Sequence, residues 1–120
     1  ELFKMRFNIE NLLFELCNKS GFDSYRNVSK MLNYAIHLEL IDSNIFELAL
    51  QVSRIASRGI HGELINDKYM DFAREAYPKI IDYLKMQLAN LPQVICSRCG
   101  YSGYSYNADV CPRCNRHTND

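Results

Sequence analysis

The sequence predicts a mainly α protein, a four-helix bundle that ends in a small C-terminal β-hairpin module built on cysteines. Two observations carry this. Apolar residues recur every three or four positions through four successive stretches as far as Leu91, the period of helices buried on one side. Past Leu91 that period stops, and two Cys-x-x-Cys pairs stand in a tail rich in Tyr, Gly and Ser.

The first helix is expected over Leu2 to Lys19, where Ile9, Leu12, Leu13, Leu16 and Cys17 share a face and Ser20-Gly21 stops the pattern. A second is expected from Asp23 or Ser24, either a suitable N-cap, to about His37, with Val28, Met31, Leu32, Ala35 and Ile36 turned inward. The short connection from Glu39 to Asp42 makes this a tight helix pair. Asp42-Ser43 offers the next cap, and Ile45, Leu48, Ala49, Val52, Ile55 and Ala56 mark the buried stripe of a third helix that Gly59 and Gly62 bracket. The fourth starts at Asn66 or Asp67 and runs through Phe72, Ala73, Ala76, Ile80, Leu84 and Leu88 towards Leu91, with Pro78 expected to interrupt and bend it. A domain boundary falls near Leu91 to Gln93, dividing the chain into a helical domain, 1–91, and a cysteine module, 92–120.

The cysteine motif is Cys96-Ser97-Arg98-Cys99-Gly100, eleven intervening residues, then Cys111-Pro112-Arg113-Cys114-Asn115. Two residues between thiolates let a tight turn aim both sulfurs at one ion, and two such turns complete a tetrahedral shell. Gly100 and Asn115 follow their pairs where a left-handed backbone is needed. Tyr101, Tyr104 and Tyr106, broken by Gly103, suit a short hairpin whose rings shield the site. The cofactor expected is one structural zinc per chain, held by Cys96, Cys99, Cys111 and Cys114, with no open position for water or substrate. The module resembles a zinc ribbon, and its Cys-x-x-Cys-Gly-Tyr and Cys-Pro-x-Cys knuckles also look like those of rubredoxin, which leaves iron as an alternative. Arg98, Arg113 and Arg116 are candidates for nucleic-acid contact, and the module could equally serve to dock a protein partner. Cys17, on an apolar helical face, reads as core packing.

The 120 residues carry 14 basic and 14 acidic side chains, so no global positive field favours nucleic acid and any such contact must be local. A hydrophobic share of 48% is ordinary for a globular protein. No apolar run approaches the ~20 residues that span a bilayer, and no leader precedes a cleavage site, so the chain reads as soluble, cytoplasmic and without a membrane partner. Because it begins at Glu1, it reads as a piece of something longer.

On the third helix Glu47, Arg54 and His61 are seven apart, and Gln51 and Arg58 fall between them, so all five share one face of a continued helix. A histidine can exchange a proton with a ribose 2′-hydroxyl while an arginine holds the phosphate. From about Met5 to Leu88, with Ser53-Arg54-Ile55-Ala56-Ser57-Arg58-Gly59-Ile60-His61-Gly62-Glu63 at its centre, the helical part resembles the HEPN family. The resemblance implies a four-helix HEPN-like bundle and a homodimer formed through it. It also implies a role in a nucleic-acid-directed or defence-type system, with RNA as a partner. Its nuclease members carry an arginine followed after four to six residues by a histidine, a spacing that Arg54 and His61 match with Arg58 alongside. Many members keep the bundle without cleaving. The expected role is therefore a non-catalytic module, with a metal-independent ribonuclease using Arg54 and His61, or a protein-interaction module docking through the ribbon, as alternatives. Direct pairing of Arg54 and Arg58 with Glu47 or Glu63 is the structural alternative on that face.

Overall fold

The computed structural model describes residues 1–105, 107 and 109–114. Four helices, α1 (Leu2–Lys19), α2 (Val28–His37), α3 (Ser43–Ile60) and α4 (Asp67–Ala89), precede two short strands, β1 (Gln93–Ile95) and β2 (Ser102–Tyr104). Ile9, Leu13, Leu16 and Cys17 of α1 are buried with Met31 and Leu32 of α2, Val52 of α3, and Ile80 and Leu84 of α4. They form the one core of the bundle.

Each helix after the first starts on a side-chain cap. Asn27, Asp42 and Asn66 accept from the backbone N–H three residues on, at 3.0, 2.8 and 3.0 Å. The second helix therefore begins later than Asp23 or Ser24. Asn27 is extended (φ −150°, ψ 120°), and Arg26 beside it reaches back to Asn11 Oδ1 and lies over the Phe14 ring, which holds the approach to α2 out of helical conformation.

Three helices close in the same way. The N–H of Phe22, Leu40 and Glu63 donates to the carbonyl of Cys17, Ala35 and Arg58 respectively, five residues back, and the residue before each donor is left-handed. Gly21 (φ 105°) and Gly62 (φ 90°) meet this demand without strain, whereas Glu39 meets it at φ 60° with a side chain attached. Phe22 and Leu40 then fold back into the core. Pro78 does not end α4, which runs on from Asp67 to Ala89 and stops at its Asn90 C-cap, before Leu91. The proline stands on the exposed face, where water can serve the carbonyl it deprives of a donor.

The hairpin also differs from expectation. It does not lie between the two knuckles but wraps the first one: β1 pairs antiparallel with β2, with Gln93 opposite Tyr104, Val94 opposite Gly103 and Ile95 opposite Ser102. Cys96 N–H donates to the Tyr101 carbonyl at 2.7 Å, so the turn of the hairpin is the knuckle itself. Among the described residues, only Val94, Cys96, Tyr101 and Cys111 are buried in this module's own apolar cluster.

Chemical denaturation is expected to register both features of the bundle. Glu39→Gly should raise the unfolding free energy by about 0.5–1 kcal/mol by relieving the left-handed backbone. Leu84→Ala should lower it by about 2–5 kcal/mol by opening a core cavity.

Candidate metal centre and basic grooves

The first knuckle is closed by the N–H of Gly100, left-handed at φ 78°, donating to the Cys96 carbonyl at 3.0 Å. The turn directs the backbone N–H of Cys99, and next that of Arg98, at the Cys96 sulfur and brings its thiol down to about 6. Cys99 behaves oppositely. The Tyr101 N–H favours its thiolate, but desolvation together with Cys111, Cys96 and Cys114 raises it to about 11. Sulfurs this crowded cannot all ionise unless a cation joins them.

The four Sγ atoms of Cys96, Cys99, Cys111 and Cys114 lie within 4.8 Å of one another. Two of the separations are 3.8 Å (Cys96 to Cys114) and 3.5 Å (Cys99 to Cys111). A tetrahedral ion with metal–sulfur bonds of ~2.3 Å requires edges of about 3.8 Å, so the donor set fits one ion. A disulfide would need ~2.05 Å, and all five cysteines are free thiols. The first cysteine of each pair is buried and the second half-buried, so four protein sulfurs can hold a metal ion with their outer edge towards solvent. Cys17 stays apart in the helical core, where desolvation pushes its thiol up to about 12.

The cysteine module is fastened to the end of α1 by Tyr101. Its hydroxyl lies 2.7 Å from the Lys19 carbonyl and 2.6 Å from the Tyr104 carbonyl, sharing its single proton between the bundle and the hairpin. Lys19 Nζ covers the Tyr104 ring at 4.8 Å. Gly21 faces Pro112 of the second knuckle so closely that a Cβ there would come within 3.2 Å of Pro112 Cβ and of Tyr34 Oη. Arg98 is exposed, and Arg113 lies over the Tyr101 ring at 5.4 Å. Tyr106, Asn115, Arg116 and His117 lie outside the described residues.

Arg54 projects from α3 between two grooves. One, a cavity of about 320 Å³ between α1, α2 and α3, is bordered by Arg6, Arg26 and Arg54. The other, about 280 Å³ between α3 and α4, has Arg54, Arg58 and Lys68 beside Tyr69 and Phe72. Among the described residues neither Arg54 nor Arg58 forms an ion pair with Glu47 or Glu63. His61 is the exposed C-cap of α3 and borders neither groove. Seven residues of helical rise set it about 10 Å along the axis from Arg54. Arg6 and Arg26 carry no local signal in the sequence, because only the packing of α1 and α2 against α3 brings them to Arg54. Lys68 and Tyr69 follow the Asn66 cap, so their place at a helix start was legible.

No protein family, curated protein or solved structure matches this chain.

Alkylation followed by mass spectrometry should separate the two kinds of cysteine. Native protein treated with chelator at pH 8 is expected to take up label at Cys96, Cys99, Cys111 and Cys114. Cys17 should react only after denaturation, because its folded thiol ionises about three pH units above an exposed one. Labelling of Cys17 in the native protein would contradict its burial.

Proposed function

We propose that this chain is a zinc-stapled, HEPN-like helical module of a nucleic-acid-directed or defence-type system, and that it binds single-stranded RNA without cleaving it. The observation that carries this reading is the position of Arg54, which stands between two basic grooves while His61 borders neither. Cleavage by the Arg/His pair needs both groups on one scissile phosphate. Binding needs only cations and stacking faces, and the α3–α4 groove offers Arg54, Arg58 and Lys68 beside Tyr69 and Phe72.

Zinc is the ion proposed because an all-thiolate tetrahedral set suits it, and the closed shell makes it a staple instead of a catalyst. Free thiols at this density suit a reducing compartment, hence the cytoplasm. Homodimerisation through the helices is supported by Phe3 and Phe7, which stack on one another at 6.0 Å on the outside of α1 and remain 66% and 52% exposed.

Anisotropy titration of a labelled, structureless RNA in excess chelator-free buffer is the test. Affinity is expected to fall steeply with salt, Arg58→Ala should reduce the log–log slope by about 0.7, and the RNA should be recovered intact. Absence of binding at low salt would refute the reading. Degradation by the wild type but not by His61→Ala would replace it with the ribonuclease.

A further inference from the structure

The cavity between α1, α2 and α3 differs in chemistry from the α3–α4 groove on the other side of Arg54. Three guanidinium groups border it, Arg6, Arg26 and Arg54, against the single carboxylate of Glu10. In a chain whose charges sum to zero, that is a local excess of two positive charges. Among the described residues Arg6 and Arg54 have no acidic partner, so their donors are uncommitted. Arg26 is held in place instead, by Asn11 Oδ1 at 2.7 Å and by the Phe14 ring at 4.3 Å.

One further set of donors borders the cavity. Val28 and Ser29, in the first turn of α2, border it, and the Asn27 cap accepts from Lys30 and not from them. Their N–H groups therefore add the positive end of a ten-residue helix to the arginines. Planar guanidinium forks and helix-start amides together match a small, doubly charged oxyanion with several acceptor oxygens.

We propose that this cavity seats the terminal phosphate monoester of a single-stranded nucleic acid, whose adjoining nucleotide crosses Arg54 into the α3–α4 groove. This rests on the RNA-binding reading above and adds the end of the strand as the feature recognised. A monoester dianion uses the excess of two charges, where an internal diester would use one. The volume of about 320 Å³ admits a phosphate with its sugar, and Glu10 supplies an acceptor for a ribose hydroxyl. Across Arg54, the faces of Tyr69 and Phe72 are available to stack a base, with Arg58 and Lys68 for the next phosphate.

The test compares one RNA sequence with 5′-phosphate, 3′-phosphate or hydroxyl ends, titrated against the full chain by anisotropy. One of the phosphorylated ends is expected to bind about tenfold tighter than the hydroxyl-ended strand. Arg6→Gln should bring that preference to within about twofold. Should Arg6→Gln fail to fold, Ser57→Asp places a repelling carboxylate in the same cavity and should have the same effect. Inorganic phosphate at millimolar concentration should erase the preference without displacing the hydroxyl-ended strand. Equal affinity for all three ends overturns the inference while leaving RNA binding intact. Preference that survives both substitutions places the phosphate elsewhere and overturns it too. Failure of every strand to bind removes the RNA reading itself.

Discussion

Four sulfurs within 4.8 Å of one another form a donor set that wants a positive charge at its centre. Among the described residues the module around them has little else to hold it: a pair of three-residue strands and a cluster of Val94, Tyr101 and two of the cysteines themselves. A core this small does not offset the conformational entropy of ordering its chain, and small domains of this kind depend on metals or disulfides. With no disulfide among these sulfurs, the proposed zinc becomes the interaction on which the module's order rests. The raised Cys99 thiol expresses the same constraint: the Tyr101 N–H favours its thiolate, but desolvation and the neighbouring sulfurs oppose it.

Among the described residues, that order reaches the bundle through few contacts. Tyr101 turns the hairpin into an extension of α1 by placing one hydroxyl between the Lys19 and Tyr104 carbonyls, and Pro112 abuts Gly21 at the Schellman closure of the same helix. Gly21 thus serves twice, first as the left-handed residue that ends α1 and then as the small one that admits the second knuckle. The basic grooves are lined by residues of the bundle and, among the described residues, by none of the cysteine module. The proposed staple and the proposed ligand contacts therefore fall on separate sets of residues.

The helices were legible because each has an amphipathic stripe and three have an Asn or Asp cap. The late start of α2 was less so, because Asp23, Ser24 and Asn27 are all competent caps and the choice among them is made by Arg26 reaching across to α1. Pro78 looked like an interruption, yet an exposed proline in a 23-residue helix leaves enough neighbouring bonds to carry the helix past it. The spacing of the cysteines announced their convergence, but the hairpin register did not follow from the tyrosines, since β1 lies before the first knuckle and has only Val94 as a buried residue. Arg54 stood out in the sequence through its helical spacing. Its companions Arg6 and Arg26 come from other helices, and no periodicity along one segment can reveal them.

The order of the C-terminal module stands or falls on the proposed ion. Native mass spectrometry of the purified 14.0 kDa chain reads both the metal and the oxidation state of the sulfurs in one spectrum. One zinc per chain, lost together with the order of the C-terminal module when Cys99 and Cys114 are changed to serine, is the expected result. A metal-free chain whose module stays ordered, or one whose mass is lowered by disulfide formation among these cysteines, would contradict it.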